Sequence, residues 1–391
     1  MKKNSIAFLL IFWSFLANSQ QMTDFEWTKI YGGSYSECYG VPQHDNSSII
    51  LSEDEKFIYV ATTSSSNDGF VRDSLGMLDG WILKLDSQTG DTLKTYVFGG
   101  SKYDVISDIC NANDGGIVIC GHSNSQDGDF EKTNLHINLG MPDYDYSDGF
   151  IAKFSADLVL LWVKYYGGQP FVEETSVGTD KLYSIIQTKD GGYMAAGSTY
   201  SNTDDIPTDW DRYLGGWLLK IDKDGIIEYT DKFVGVNHNE NNPNDLVDVV
   251  ELEEDLFAAI GTQTYFIDNS DGTWDWKDFI WVIKTEGKKI LAEAEFGNTS
   301  SNYGISICKS EIGLNATSYI RPISGDVSQG YGLTDILLMQ LSENIELKDK
   351  KFFGGSSEDF PYGTIMDNFG HYIVYGQTIS SDYDAEGDGY G

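Results

Sequence analysis

The chain has 391 residues, with 61 Asp and Glu against 26 Lys and Arg and a formal net charge of -35. That charge excludes nucleic-acid binding through the protein's own field, because a phosphate backbone would be repelled. With 40% hydrophobic and 14% aromatic residues and only 7 prolines the composition is that of a folded chain, and 42 glycines point to many tight turns joining short strands.

At the N-terminus, Lys2 and Lys3 precede an apolar run over 6–17, and the small residues Ala17 and Ser19 suit cleavage before Gln20. This is the pattern of a secretory signal peptide over 1–19, leaving 20–391 as the exported domain. The run is shorter than the roughly 20 residues a bilayer requires, and no later stretch approaches that length, so no membrane insertion is expected. Export permits disulfides, yet the four cysteines, Cys38, Cys110, Cys120 and Cys308, do not suit pairing. Cys110 and Cys120 flank the turn 111–116, whose register would set Cys110 against Ile117 and Cys120 against Ser107, too far offset for the short Cβ separation of a disulfide.

Self-similarity dominates the rest. An aromatic-Gly-Gly motif recurs with some decay as Tyr31-Gly32-Gly33, Phe98-Gly99-Gly100, Tyr166-Gly167-Gly168, Val234-Gly235-Val236, Phe296-Gly297-Asn298 and Phe353-Gly354-Gly355, the first glycines stepping by 67, 68, 68, 62 and 57 residues. Between them lie an Asp-Gly turn followed by a strand, as at 114–121 and 190–197, and an apolar strand with a central lysine, as at 79–86, 148–154 and 215–222. Each unit offers four short strands; in the second they fall at 105–110, 117–120, 150–154 and 159–166. Four antiparallel strands repeated in series predict an all-β fold, a β-propeller of about six blades. The phase places a fourth-type strand at 26–31, expected to close the ring beside the last unit. That last unit has two strands and reaches Gly391 before its third, so the reading expects an incomplete last blade and a native chain that continues.

Three groups of residues recur or cluster. Lys84, Lys153, Lys220 and Lys284 share one place on the third strand, and Glu37, Asp104, Glu240 and Asp359 follow the glycine junction by about five residues. A lysine and an acid recurring about once per unit are expected to be structural partners, and Trp81, Phe150, Trp217, Trp281 and Leu337 to be core. The loops between second and third strands vary most and carry acids with aromatics: Asp143, Tyr144, Asp145 and Asp148, then Asp209, Trp210, Asp211 and Tyr213, then Asp271, Trp274, Asp275, Trp276 and Asp278. Variable loops on a rigid frame are where recognition is usually placed, with Asp-rich turn chemistry the equal alternative. Asp382, Asp384 and Glu386 resemble the opening of a calcium loop, a weak signal without its distal ligand. Calcium is the one cofactor the sequence leaves open.

The repeat resembles the secreted β-propeller-repeat proteins of Bacteroidota, through Trp27 to Ser34, Trp81 to Asp86, Ser125 to Asp129 and Asp190 to Tyr193, over nearly all of the chain after residue 19. The resemblance implies an exported, non-enzymatic propeller of a kind that often ends in a type IX secretion sorting domain, which is not visible here. The five histidines share no metal-ligand spacing and no serine sits in a nucleophile elbow, so no enzyme is expected. The expectation is a secreted or cell-surface monomer that recognises a glycan or a protein through its acidic, aromatic loops. A purely structural scaffold is the alternative, and a propeller enzyme the third reading.

Overall fold

The computed structural model describes residues 27–36, 48–133, 146–168, 179–206, 214–234, 244–268, 274–297, 302–310, 312–321, 330–366 and 371–383. The described residues are almost wholly strand and turn. The first sheet comprises β1 (Ser48–Leu51), β2 (Phe57–Ser64), β3 (Asp79–Asp86) and β4 (Thr92–Phe98). The second comprises β5 (Asp104–Asn111), β6 (Ile117–Ser123), β7 (Asp148–Phe154) and β8 (Leu160–Tyr166). Then follow β9 (Asp180–Gln187), β10 (Tyr193–Thr199), β11 (Gly215–Ile221) and β12 (Ile227–Phe233). The fourth is built from β13 (Asn244–Glu253), β14 (Leu256–Asp268), β15 (Trp274–Glu286) and β16 (Lys289–Phe296). The fifth has β17 (Asn302–Ser310), β18 (Gly313–Ile320), β19 (Asp335–Leu341) and β20 (Leu347–Phe353), and β21 (Asp359–Met366) pairs with β22 (Tyr372–Thr378). Each of the five complete sheets is a four-stranded antiparallel meander in chain order, the blade unit of a β-propeller, whereas the last has two strands among the described residues.

Local chemistry explains the meander. In the hairpins β5–β6 and β9–β10, Asp114 and Asp190 accept the N–H groups of Gly116 and Gly192, while Gly115 and Gly191 take φ of +81° and +88°. Glycine adopts that region without a Cβ penalty. The turn closes through Ala112 N–H to Gly116 O, one residue tighter than the spacing suggests. Cys110 therefore pairs with Val118 and Cys120 with Asp108, correcting the expected register by one residue. Cys110, Cys120 and Cys308 are free thiols, and burial pushes all three up, Cys308 to about 12. Cys38 lies outside the described residues.

A β-bulge recurs at one place in every described first strand from β5 onward, between Ile106 and Asp108 in β5, Leu246 and Asp248 in β13, and Gly304 and Ser306 in β17. The residue past the bulge reaches the next sheet: Asp108 accepts the Ile185 N–H at 2.9 Å, Asp248 that of Ile307 at 2.8 Å, and Ser306 that of Thr364 at 3.3 Å. The described residues fall into two compact units, those within 27–206 and 219–230 and those within 214–218 and 231–383. In each, the core is built as expected, with Trp81 and Phe150 buried in one and Trp217, Trp281 and Leu337 in the other. In the first unit Phe98, Phe130, Phe150 and Phe154 form an aromatic cluster of edge-on and tilted contacts with centroids 5.1 to 5.9 Å apart.

The ring-closing strand expected at 26–31 is not formed in the described part: residues 27–36 carry no strand, and β22 pairs only with β21. Residues 27–31 pack on the first sheet instead. Trp27 donates its indole N–H to Ser87 O and Tyr31 its hydroxyl to Gly90 O, as Tyr166 at the end of β8 donates to Gly225 O. The segment thus holds the place of a fourth strand against the sheet that follows it.

Candidate functional site

The glycine junctions, the acid that opens β5, β9 and β21, and the Ser or Thr groups at or after the ends of the second strands of those sheets meet in one joint, which a Ser-x-Asp sequence completes where it occurs. Gly99, Gly167 and Gly354 take φ near +150°, and a Cβ there would lie 2.4 to 2.7 Å from the carboxylate of Asp104, Asp180 or Asp359. That contact forbids any side chain. Asp104 accepts the Gly100 N–H at 2.7 Å and the hydroxyls of Ser123 at 2.5 Å and Ser125 at 2.9 Å. Asp180 repeats the set with Gly168, Thr199 and Ser201, and Asp359 with Gly355, Thr378 and Ser380. The acid's own N–H donates to the preceding sheet, Asp104 to Leu78 O at 2.8 Å, Asp180 to Ser147 O at 2.8 Å and Asp359 to Thr334 O at 2.9 Å. Ser-x-Asp completes the joint: Asp68, Asp127 and Asp382 each accept a loop N–H at 2.7 Å, from Ser34, Ser101 and Ser356.

A second acid opens the third strand on the same side. Asp79 accepts the Ser74 hydroxyl and the N–H groups of Leu75 and Gly76 through one oxygen, and Asp335 those of Tyr331 and Gly332. The other Asp79 oxygen is buried without a donor among the described residues. Burial, and then the charge of Asp79, raise the Asp104 carboxyl to about 6 against the three hydrogen bonds that lower it. Burial and the charge of Asp148 also raise Asp180, while burial lifts Asp245 to about 7.

These contacts correct the expected lysine pairing. The acid stands at the opening of its strand and the lysine five residues along a neighbouring strand, about 16 Å away at 3.3 Å per residue. Lys153 pairs with Asp114 at 2.6 Å, Lys220 with Asp190 at 2.6 Å and Glu228 at 2.7 Å, and Lys84 with Asp157 at 3.2 Å. Lys284 donates to Glu343 O at 2.9 Å. Lys84, Lys153 and Lys220 bind acids of turns or of β12 and Lys284 a turn carbonyl, while the junction acids bind serines, threonines and glycine N–H groups. Glu37 and Glu240 lie outside the described residues, and Asn244, not Glu240, opens β13, donating its N–H to Leu214 O.

Of the residues expected to hold a ligand, Tyr144, Asp209, Trp210, Asp211 and Tyr213 lie outside the described residues, as do Asp143, Asp145 and Asp271 and the calcium candidates Asp384 and Glu386. Asp382 has the capping role above. Asp148 and Asp278 are buried, Asp278 accepting the Thr264 hydroxyl at 2.8 Å, so neither presents its carboxylate to a ligand. The remaining group stands on an extended arm: β14 and β15 each run 13 residues against 7 or 8 in most other strands. Trp274 opens β15, Asp275 is exposed, and Trp276 is 63% exposed.

The same end of the sheets carries apolar residues that the sequence reading missed. Tyr331 and Tyr383 stack at 5.0 Å, exposed by 46% and 58%, with Leu333 and Ile379 also exposed nearby in sequence. Tyr331 lies in the loop between β18 and β19, the loop class already singled out; its lack of adjacent acids hid it. In the other unit Phe70, Leu75, Met77 and Tyr103 are exposed at the corresponding end.

Comparison with solved structures gives distant likenesses. BamB from Moraxella catarrhalis is 10% identical over 86% of this chain and 85% of that chain, with a TM-score of 0.38. A member of the duf4221 family from Bacteroides vulgatus is 8% identical over 88% and 94%, with a TM-score of 0.38. Quinohemoprotein alcohol dehydrogenase from Comamonas testosteroni is 9% identical over 85% and 64%, with a TM-score of 0.41. No family model matches the chain, and no curated protein matches it. At these identities and scores the likenesses assign neither a family nor an activity.

Proposed function

We propose that this chain is an exported, non-enzymatic recognition module of the secreted Bacteroidota propeller-repeat type. Its six units close into a ring with residues 27–31 in the outer place of the last blade, and it takes a glycan or a protein on the end of the sheets that bears the Gly-Gly joints. One observation supports this reading above the others: at that end the polar groups are spent on the joints, while aromatic side chains stand in solvent. Trp276, Tyr331 and Tyr383 offer flat faces on which a sugar ring or an apolar side chain can stack. An anionic polymer is disfavoured by the net charge of -35 unless cations intervene, which leaves a place for calcium.

The test is a glycan array on the secreted chain with and without calcium, then calorimetry on a Trp276→Ala, Tyr331→Ala, Tyr383→Ala variant. We expect at least a tenfold loss of affinity, about 1.4 kcal/mol, at unchanged melting temperature. Unaltered affinity would remove the assignment. The scaffold reading is favoured by a different observation, that every recurring polar motif is used inside the fold; it predicts that no glycan or protein ligand binds this end.

A further inference from the structure

Each described junction sets one place on a third strand, two residues before its buried Trp81, Phe150, Trp217, Trp281 or Leu337, against the residue that opens the next first strand. The second residue donates to the carbonyl just before the first: Asp104 N–H to Leu78 O, Asp180 N–H to Ser147 O, Asn244 N–H to Leu214 O, the Asn302 side-chain amide to Asp278 O, and Asp359 N–H to Thr334 O. The facing pairs are therefore Asp79 with Asp104, Asp148 with Asp180, Gly215 with Asn244, Phe279 with Asn302, and Asp335 with Asp359. Register keeps these places equivalent. Ser123 stands opposite Asp104 on one side and Asp148 on the other, as Gln263 stands between Asn244 and Phe279 and Ile320 between Asn302 and Asp335.

Two carboxylates in a dry place repel, so an acid is best tolerated on one side of such a joint only. Here the reverse holds. An aspartate opens the first strand wherever it faces an aspartate, and an asparagine opens it wherever it faces glycine or phenylalanine. The two acids are kept together or given up together, as befits a pair with something held between them. All six acids are buried, and no ion pair among the described residues reaches Asp79, Asp104, Asp180 or Asp359. Asp79 is 1% exposed; its Oδ2 accepts the Ser74, Leu75 and Gly76 donors, which leaves Oδ1 buried with no donor among the described residues. At the matching joints this oxygen is aimed at the facing acid. The place of a Gly167 Cβ is 3.1 Å from Asp148 Oδ1 and 2.4 Å from Asp180 Oδ2, and that of a Gly354 Cβ is 2.5 Å from Asp335 Oδ1 and 2.7 Å from Asp359 Oδ2.

We propose that the pairs Asp79–Asp104, Asp148–Asp180 and Asp335–Asp359 are sites for a hard divalent cation of the calcium kind, held between Oδ1 of the third-strand acid and Oδ2 of the first-strand acid. Every ligand atom on offer is oxygen, which suits calcium and not zinc or copper. One divalent ion neutralises one pair, and buried charges are stable only when paired or ligated. No three His, Cys, Asp or Glu side chains gather as a metal group among the described residues, so carbonyl oxygens and water complete the shell. Calcium accepts such a mixed, irregular shell, whereas magnesium demands a near-ideal octahedron. The ion clamps the third strand of one sheet to the first strand of the next; stripped of it, the joint rests on its hydrogen bonds alone. This inference stands apart from the recognition surface above, and its readout needs no glycan or protein ligand.

The probe is calcium chloride alone, titrated into the chelator-stripped full chain in a constant background of sodium chloride, so that screening does not change, and followed by calorimetry and thermal unfolding. Saturating calcium should raise the melting temperature by about 3 °C or more, and magnesium at the same concentration should raise it far less. Asp79→Asn keeps an oxygen for the Ser74, Leu75 and Gly76 donors and should bind one ion fewer than the parent, with its melting temperature in chelator unchanged or higher. Asp79→Asn, Asp148→Asn, Asp335→Asn together should bind fewer by one ion per acid pair and lose the calcium response; if that variant does not fold, the stoichiometry of the parent against Asp79→Asn still decides. Three results would each overturn the proposal: no rise in melting temperature with calcium, an equal rise with magnesium, which would be screening only, or the same number of ions bound by the parent and by Asp79→Asn.

Discussion

Asp104 carries more of the joint than any other single side chain, and its protonation sets a pH dependence. An unfolded aspartate ionises near pH 3.9. In the fold the carboxyl holds its proton to about 6, because it is buried and faces Asp79. Between about pH 4 and 6 the folded state therefore binds more protons than the unfolded chain, so stability falls as pH rises through that window and the contribution is gone above it. The rise corresponds to roughly 3 kcal/mol. Asn302 occupies the same register place at the start of β17 and donates to Asp278 O at 2.9 Å, so a neutral amide already fits one joint of this chain. Asp104→Asn should flatten the pH dependence of unfolding between about pH 4 and 6 and match or exceed the parent's stability at pH 8, whereas Asp104→Ala, which strands the Ser123, Ser125 and Gly100 donors, should cost about 3 kcal/mol or more. Chemical denaturation across this range checks both, and an unchanged slope in the Asn variant would refute the assignment.

At the scale of the element, the second and third meanders are pinned at opposite ends by different chemistry. The junction end uses carboxylates against hydroxyls and N–H groups, and the turn end uses lysines against turn acids. Lys220 is 1% exposed between Asp190 and Glu228, whereas the Asp157 carboxylate that meets Lys84 is 86% exposed. Solvent screening makes the second pair worth little, while loss of the buried lysine leaves two acids facing each other without their cation. Lys220→Met should lower stability by about 2 to 3 kcal/mol and Lys84→Met by about 1 kcal/mol or less. Thermal unfolding of the two variants side by side decides this, and equal losses would show that burial does not set the order.

The whole molecule carries its excess of 35 negative charges on a frame whose joints are themselves acidic. Surface repulsion is screened as the Debye length shrinks from about 30 Å at 0.01 M salt to about 10 Å at 0.1 M, while the buried joints are screened much less. The melting temperature should therefore rise by a few degrees, about 2 to 5 °C, over that change, most of it at neutral pH where surface carboxylates are ionised. A scan in sodium chloride at pH 7.5 and again at pH 4.5 checks it, since a larger rise at pH 4.5 would place the repulsion elsewhere.

The repeat, the strand class and the core were legible in the sequence because each depends on local pattern: Trp81, Trp217 and Trp281 sit in runs whose neighbours are equally apolar, and the turns at Gly115 and Gly191 need only one residue's backbone freedom. The partners of the polar repeats were not legible, because spacing along a chain does not state which end of a strand a side chain reaches. Asp104 and Lys84 recur with the same period, yet the length of a strand separates their ends: the pairing of β5 with β6 brings Asp104 to Ser123, and the stacking of one sheet on the next brings Lys84 to Asp157. The loop class of the candidate surface could be read from acids beside aromatics, but Tyr331 and Tyr383 stand 52 positions apart and become a platform only when folded. Periodicity is a property of the chain and was open to reading there, whereas contact across sheets is a property of packing and was decided by the tertiary structure alone.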